Sequence, residues 1–409
     1  MKNRYLYITL LSVLALQAEA QGLEGFRPVP RLVVNITIDQ LRSDRLEGLM
    51  PHYGDDGFRK LWKEGLVFEH ASYPFSPDRA SAIATVVTGT TPFYHAITGE
   101  HWIDRETLQP VSAQQTAVST LGDELKMATE GRGKVFSVAP TADAAILSAG
   151  HAADHAYWND HPKKKWSQGD ITERALQCVR ESALGQDSIP DLLFLTYDAA
   201  DKSSQAYTQL DAEIARLMGG IEAQVGQGHT LYVVTGTGYD TASQAEYEHY
   251  RIPTGTFYIN RSANLMNMYF GALWGSGKYV DACYQNQIYL NHRLLETKRI
   301  SVDEVLQKGR SFLMQMAGVK EVESHPLEAH IGDLVIQTAP GWQIENEDTH
   351  EKTQLKNKLA YIPIIVYGTG IQAATIQTPV STERIAPTIA KAIRIRAPNA
   401  CFSTPLFYL

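Results

Sequence analysis

The sequence is poor in cysteine, with only Cys178, Cys283 and Cys401 among its 409 residues. None of the three belongs to a CxxC pair, so the cysteines build neither a zinc site nor a disulfide framework. One disulfide with one remaining thiol is compatible with an oxidising compartment, and the sequence does not select the pair. The low cysteine content therefore excludes a fold that depends on several disulfides or on cysteine-bound zinc.

An excess of basic residues is also lacking, because 37 Lys and Arg are outnumbered by 45 Asp and Glu, a formal net charge of −8. An acidic chain without a Lys/Arg cluster is a poor binder of nucleic acid, so we expect no nucleic-acid partner. Internal repeats and low-complexity segments are absent from the sequence as well. With 44% hydrophobic and 20% charged residues, the composition is that of a globular protein with a sizeable core.

The N-terminus carries the longest hydrophobic run. Lys2 and Arg4 precede an apolar stretch over residues 5–16, and Ala-Glu-Ala at residues 18–20 matches a signal-peptide cleavage site. This layout predicts a signal peptide over residues 1–20, with cleavage near Ala20. The run is too short for a comfortable membrane span, so we expect a periplasmic or secreted mature chain without a transmembrane segment. The alternative is a buried N-terminal helix.

Apolar runs of strand length recur along the chain, and helical patterns separate several of them. The clearest helical pattern places Leu210, Ile214, Leu217 and Ile221 on one face. The alternation predicts an α/β fold with a doubly wound, mostly parallel sheet, whose functional residues follow the carboxyl ends of the strands. The candidate positions are therefore Asp39, the residues from Pro140 onward, and residues 198–205 and 236–240. The predicted strands are residues 32–38, 135–139, 192–197, 231–235, 334–337 and 364–367.

Residues 246–329 interrupt this rhythm. Three stretches within them, residues 266–273, 286–295 and 302–316, are predicted to be helical. We interpret the whole stretch as a mostly helical insertion or cap within one domain that spans residues 21–409.

Several phrases in chain order resemble the alkaline phosphatase superfamily, in particular its periplasmic alkaline phosphatase and nucleotide pyrophosphatase/phosphodiesterase branch. The resemblance covers about residues 31–400. It rests on VVNITIDQLRSD at residues 33–44, TGTTPFYHAITGEHWID at 88–104, ILSAGHAADHAYWND at 146–160, the insertion segment at 267–292, GDLVIQTAPGW and IPIIVYGTGI.

The resemblance implies a two-zinc mechanism, in which Asp and His ligands hold the ions and a Thr or Ser hydroxyl becomes phosphorylated. Asp39 and Asp201 match two ligand positions, and His350 matches the last ligand position. Three other ligand positions are degenerate: Gln205 and Gly238 replace histidines, and Thr237 replaces an aspartate. We therefore expect no cofactor, or at most one weakly bound metal ion at Asp201, Gln205 and His350. Asp39 is equally compatible with a helix cap and His350 with a solvated loop.

The nucleophile position of the family falls on Arg79, whose guanidinium stays protonated and cannot attack phosphorus. The FSPDR phrase resembles a sulfatase signature, but its nucleophile position is Phe75. Ser76 and Ser81 flank Arg79 and are interpreted as turn and cap hydroxyls, with nucleophiles as the alternative.

The family's phosphate contacts fall on Glu100, Thr141 and Asp143, so its amide and two cationic groups are lost here. Arg79 suggests a sharper hypothesis, in which its charge replaces a missing metal ion by pairing with Asp39 or Asp201. The alternative is an Arg79 side chain that points into solvent.

These losses predict a pseudoenzyme: a non-catalytic binding or scaffold subunit of a Gram-negative envelope complex, with an envelope or outer-membrane protein as partner. The alternative is an active metal-dependent phosphomonoesterase or phosphodiesterase with a rebuilt site that adds Asp240 or His249. A third possibility is a ligand sensor that uses the old cleft without turnover. The aromatic residues of the insertion suit an interface or internal packing equally. They are Tyr247, Tyr250, Tyr258, Tyr269, Phe270, Trp274, Tyr279, Tyr284 and Tyr289.

Overall fold

The computed structural model describes residues 28–160, 166–241, 244–325, 330–353 and 356–407. The predicted signal peptide and its cleavage site lie outside these residues. Within the described ranges, none of the helices combines the length and the apolar character that a membrane crossing requires.

The strands and helices alternate over most of the chain. The strands are β1 (Leu32–Asp39), β2 (Leu66–Ser72), β3 (His101–Ile103), β4 (Pro110–Ser112), β5 (Val135–Val138), β6 (His155–Tyr157), β7 (Asp191–Asp198), β8 (Thr230–Gly236), β9 (Tyr239–Thr241), β10 (Gly255–Tyr258), β11 (Val280–Tyr284), β12 (Gln287–Leu290), β13 (Val319–Ser324), β14 (Leu334–Thr338), β15 (Trp342–Glu345), β16 (Lys352–Thr353), β17 (Lys356–Lys358), β18 (Ile362–Gly368), β19 (Ala374–Ile376) and β20 (Val380–Ser381). The helices are α1 (Ser43–Gly48), α2 (Phe58–Glu64), α3 (Arg79–Thr88), α4 (Pro92–His95), α5 (Leu121–Ala128), α6 (Ala142–Ala149), α7 (Gln168–Glu181), α8 (Ser204–Val225), α9 (Gln244–His249), α10 (Ile259–Trp274), α11 (His292–Lys298), α12 (Val302–Leu313) and α13 (Ile385–Ala392), with short 3-10 turns at Met50–His52 and Thr382–Arg384.

A nine-stranded sheet forms the centre of the molecule, in the order β19-β2-β18-β8-β1-β7-β5-β6, with β20 beside β2. The strands β8, β1, β7, β5 and β6 run parallel, whereas β18 is antiparallel to both β8 and β2. The predicted mostly parallel α/β sheet is confirmed. All six predicted apolar runs are strands, and five of them lie in this sheet. Sequence reasoning missed β2, which lies between β18 and β19 in the sheet.

Helices cover both faces of the sheet, as expected for a doubly wound fold. All eight residues of β1 are buried, and they alternate between two hydrophobic clusters. Val34 and Ile36 pack with helix α8, whereas Val33 packs with helices α3 and α13 on the opposite face. Because β1, β7 and β8 run parallel and in register, their carboxyl ends meet at one edge, where Asp39 lies opposite Asp198.

The insertion has a mixed architecture, which corrects the prediction of a mostly helical cap. Helices α10, α11 and α12 are present, but they pack against a four-stranded sheet in the order β11-β12-β14-β13. The helix predicted over residues 286–295 is wrong: strand β12 occupies its first half, and α11 begins only at His292. All four residues of β12 are buried, and a run buried on every side shows no helical or strand period.

The small sheet also extends past the predicted end of the insertion at residue 329, because β14 belongs to it. Most aromatic residues of the insertion serve internal packing. Phe270, Tyr279 and Tyr289 are buried, whereas Tyr250 is exposed. The insertion thus forms a hydrophobic cluster of its own beside the central sheet.

Candidate functional site

Helix α3 places Arg79 at the edge where the central strands end. Asp78 caps this helix: its side chain accepts a hydrogen bond from the Ser81 backbone N–H, and the Ser81 hydroxyl accepts one from the Asp78 backbone N–H. Ser81 is fully buried in this capping box, which agrees with its interpretation as a cap hydroxyl. Arg79 is therefore the first helical residue, and the side chains that follow it in α3 anchor the helix in the core.

Three carboxylates surround the Arg79 guanidinium. Its Nη2 lies 2.9 Å from Glu100 Oε2 and 3.1 Å from Asp143 Oδ2, and its Nη1 lies 3.7 Å from Asp39 Oδ2. The position that the resemblance identifies as the lost nucleophile thus contacts two of the three lost phosphate contacts, Glu100 and Asp143. The hypothesis that Arg79 pairs with Asp39 or Asp201 holds for Asp39, and the Arg79 side chain does not point into solvent.

A second cation, Lys356, completes the cluster, and sequence reasoning missed it. Its Nζ lies 2.8 Å from Glu100 Oε1, 3.4 Å from Asp78 Oδ2 and 5.3 Å from the centre of the Tyr239 ring. Lys356 is held there because β17 pairs with β9, which contains Tyr239. Its position in the sequence could have identified it, because Lys356 comes shortly before β18, in the region where the resemblance expects the last metal ligand.

Burial and hydrogen bonding set the charge state of Asp39. Its carboxylate lies at the end of β1 and accepts a hydrogen bond of 2.9 Å from the Thr237 hydroxyl. Burial raises the pKa of Asp39 to about 6, while the Arg79 guanidinium and hydrogen bonds from Tyr239 and Thr237 limit the rise. Asp39 is therefore a carboxylate that the fold keeps poorly solvated, with Arg79 as its counter-charge.

Asp78 shows the opposite behaviour. Burial opposes its ionisation, but the Lys356 ammonium and the backbone N–H groups of Ser81 and Glu100 hold the pKa of Asp78 below its usual value. The Glu100 backbone N–H lies 2.7 Å from Asp78 Oδ2, so this contact also fixes the segment that precedes β3. Glu100 thus connects both cations, and Asp78 pairs with Lys356 and fixes the Glu100 backbone.

Two degenerate ligand positions are filled by other groups of the fold. The Thr237 hydroxyl is buried between Asp39 and the Gln40 backbone N–H, which donates to it at 2.9 Å. Gly238 has φ +76°, and a Cβ at this position would lie 2.4 Å from Cδ2 of Tyr73. A histidine does not fit at Gly238, because the backbone conformation is strained for L residues and the Tyr73 ring occupies the space.

The other predicted ligands lie outside the Arg79 cluster. Asp201 is exposed and accepts a hydrogen bond of 2.9 Å from the Ser203 backbone N–H at the start of α8. Gln205 is exposed one turn further along this helix. His350 lies between β15 and β16, with its side chain 82% exposed and Nδ1 3.8 Å from Glu345. The predicted weak metal site would thus combine Asp201 and Gln205 at the exposed start of a helix with His350 in an exposed turn.

A second ion-pair cluster lies beside the first. Asp240, a candidate for a rebuilt site, is buried between Arg42 Nη1 at 2.9 Å and Lys202 Nζ at 3.1 Å. Arg42 also pairs with Asp44 at 2.8 Å. Asp240 is therefore neutralised by two cations. His249 is the exposed last residue of α9.

One polar atom near the cluster lacks a partner. Thr141 precedes α6, yet its hydroxyl does not cap the helix and is buried without a hydrogen-bond partner within the described residues. Asp143 lies in the first turn of the same helix, where a carboxylate is favoured by the helix dipole. The α6 start thus directs Asp143 toward Arg79.

The donor set does not fit a two-zinc centre. In the part of the chain that the structure describes, no group of three or more His, Cys, Asp or Glu side chains is arranged to hold a metal ion. The side chains that act on Asp39 are the Arg79 guanidinium, the Tyr239 and Thr237 hydroxyls and the Asp198 carboxylate, with no imidazole among them, and cations do not ligate cations.

The doubly wound sheet and the position of the cluster at its carboxyl edge define an alkaline phosphatase-like α/β protein. Residues 33–360 match the family described as Type I phosphodiesterase / nucleotide pyrophosphatase. Since the match covers most of the chain, the protein belongs to this family, within the nucleotide pyrophosphatase branch of the alkaline phosphatase superfamily.

Similar proteins agree with this assignment. Alkaline phosphatase PafA of Elizabethkingia meningoseptica is 21% identical, over 93% of this chain and 94% of that protein. Alkaline phosphatase PhoV of Synechococcus elongatus is 35% identical, but only over 32% of this chain and 28% of that protein. The crystal structure of wild-type PafA matches with a TM-score of 0.78 at 19% identity, covering 93% of this chain and 98% of that one. Murine ectonucleotide pyrophosphatase / phosphodiesterase 5 matches with a TM-score of 0.61 at 14% identity, covering 89% and 95%.

Proposed function

We propose that this protein is a non-catalytic member of its family, which acts as a binding or scaffold subunit in the Gram-negative envelope. The observation that carries the proposal is the state of Arg79, which stands at the nucleophile position and is neutralised by Asp39, Glu100 and Asp143. A guanidinium held in this way offers neither a nucleophile nor a free cationic contact for a phosphate.

The electrostatics of the cleft also support the proposal. Four carboxylates, Asp39, Asp78, Glu100 and Asp143, meet two cations, Arg79 and Lys356, so a phosphate dianion would enter a site with an excess of negative charge. Phosphatase chemistry requires the reverse, a cleft whose positive charge stabilises the transferring phosphoryl group.

An envelope location and a protein partner complete the proposal. The predicted signal peptide over residues 1–20 supports export. Exposed apolar side chains on the insertion support a protein partner: Leu265, Met268 and Ala272 follow one another at spacings of three and four residues on helix α10, and Met268 is 72% exposed. We expect this face, rather than the buried aromatic residues, to contact the partner.

The test combines metal analysis with activity on the purified mature protein. We expect no stoichiometric zinc and no turnover of an aryl phosphate or a phosphodiester, with or without added zinc. Two tightly bound zinc ions, together with turnover that a chelator abolishes, would contradict the proposal. Co-purification from the envelope would then identify the partner.

The second candidate function is an active metal-dependent phosphomonoesterase or phosphodiesterase with a rebuilt site. The comparisons favour it specifically, because PafA and PhoV are named as alkaline phosphatases, the murine protein as an ectonucleotide pyrophosphatase / phosphodiesterase, and the family as phosphodiesterases. The same experiment distinguishes the two, since this candidate requires metal-dependent turnover.

A further inference from the structure

We infer that the Arg79 guanidinium and the Lys356 ammonium supply the positive charge that two metal ions supply in metal-dependent relatives. Ion pairs then hold the carboxylates of the cleft together, and the stability of the cleft does not depend on divalent metal ions. The inference concerns how the cleft is held together and not what the protein binds. It therefore does not rest on the proposed function.

The carboxylates of the cleft need positive charge for a physical reason. The side chains of Asp39, Asp78, Asp143 and Glu100 are 6%, 13%, 17% and 21% exposed, so water solvates them poorly. Buried carboxylates without a counter-charge are costly, and in metal-dependent relatives of a phosphatase fold the metal ions supply that charge. Here the two side chains supply it.

The two cations also bridge carboxylates as a metal ion would. Arg79 contacts Asp39, Glu100 and Asp143, and Lys356 contacts Asp78 and Glu100, so Glu100 is shared between them. These residues come from the end of β1, the start of α3, the segment before β3, the first turn of α6 and strand β17. The cluster therefore ties five separate parts of the chain together.

The same features leave no room for a metal ion. A dication beside Asp39 would face the Arg79 guanidinium, whose Nη1 is 3.7 Å from the carboxylate. The ligand position at Gly238 is closed by the Tyr73 ring. Loss of the ligands and gain of the cations thus belong to one rearrangement.

The experiment is thermal unfolding of the full mature chain, with metal binding measured by calorimetry. For the wild type, we expect the melting temperature to be the same in chelator, in zinc and in calcium. For Arg79→Ala, we expect a melting temperature lower by about 5 °C, because three carboxylates lose their main counter-charge. Millimolar calcium, which prefers oxygen ligands, is expected to restore part of this loss and to bind Arg79→Ala but not the wild type.

Arg42→Ala is the matched control. Arg42 also bridges two carboxylates, Asp44 and Asp240, but Lys202 remains beside Asp240 after the change. We expect a smaller loss for Arg42→Ala and no restoration by calcium.

Arg79→Lys covers the case in which Arg79→Ala does not fold. It retains the positive charge, so we expect Arg79→Lys to fold and to be more stable than Arg79→Met. Calcium is expected to leave its melting temperature unchanged. Equal stability of the Lys and Met variants would overturn the inference, and so would a wild type that zinc stabilises or a chelator destabilises by several degrees. Turnover of a phosphate ester by the wild type that persists in chelator would contradict the proposed function and leave this inference standing.

Discussion

At the scale of single residues, Arg79 stands at the nucleophile position that the family resemblance implies and at the centre of the observed ion pairs. Its guanidinium interacts with Asp39, Glu100 and Asp143, and the last two stand where the family places phosphate contacts. Because these positions form a self-neutralising set, reversing one of them leaves the others in place.

We therefore predict that Arg79→Thr does not restore phosphatase activity. The variant regains a hydroxyl, but Thr237 and Gly238 still provide neither carboxylate nor imidazole, and metal-assisted phosphoryl transfer needs the ions as well as the nucleophile. Hydrolysis of an aryl phosphate, measured with and without zinc, is expected to remain at the level of the wild type. Zinc-dependent turnover by Arg79→Thr would show that the metal site survives.

A second residue-scale prediction concerns the pH dependence of stability at Asp39. Its folded pKa of about 6 lies above the ordinary aspartate pKa of 3.8, so the folded state holds its proton longer and the free energy of unfolding falls as pH rises between these values. Above pH 6 the ionised carboxylate destabilises the fold, and Asp39→Asn removes this cost. We expect Asp39→Asn to be more stable than the wild type by about 1–3 kcal/mol at pH 8 and equally stable near pH 4.

Urea denaturation at both pH values measures this difference. Asp201→Asn is the control, because Asp201 is exposed and its removal relieves no burial. A less stable Asp39→Asn at pH 8 would mean that the Arg79 pair outweighs the burial of Asp39.

At the scale of elements, the turn between β8 and β9 explains why one ligand position cannot be refilled. Gly238 has φ +76°, and the Tyr73 ring lies against its Cα. We predict that Gly238→Ala lowers the free energy of unfolding by about 3 kcal/mol or more, through backbone strain and overlap with Tyr73. Denaturant midpoints measure the loss.

Gly219→Ala is the matched control for this prediction. Gly219 lies inside helix α8, and a Cβ there would have no neighbour within 4 Å. We expect it to stabilise the protein by about 0.5–1 kcal/mol, since alanine is the better helix former. Comparable effects of the two substitutions would contradict the role assigned to the Gly238 turn.

The elements also differ in how well the sequence predicts them. Helix α8 and the parallel strands have clear periods or apolar runs, and they lie where predicted. The sequence of strand β12 lies within the stretch predicted to be a helix over residues 286–295. This buried apolar sequence is compatible with a helix or a strand, and pairing with β11 and β14 selects the strand. Hydrogen bonding to those strands, and not local propensity, decides the outcome.

At the scale of the whole molecule, we expect the exposed apolar side chains of helix α10 in the insertion to form a contact face. We predict that Met268→Asp reduces the amount of envelope protein recovered with the tagged chain by about tenfold or more, because a charge there cannot be desolvated in an interface. The melting temperature is expected to stay unchanged, because Met268 is exposed.

Met127→Asp provides the control, since Met127 is 58% exposed on helix α5, which lies outside the insertion. We expect it to leave recovery of the partner unchanged. Equal loss in both variants would indicate a general effect of surface charge, and no loss in either would place the partner elsewhere.

The sequence by itself determined the fold class, the family resemblance and the identity of the residues at the catalytic positions, because apolar periodicity and motif spacing are local properties. It also suggested that Arg79 meets Asp39 or Asp201. Only the tertiary structure decided that Glu100 and Asp143 are the closest partners of Arg79, that Lys356 joins them and that Tyr73 closes the Gly238 position. The physical reason is that parallel strands distant in sequence deliver their ends to one edge, so the charges that neutralise one another there come from five separate segments.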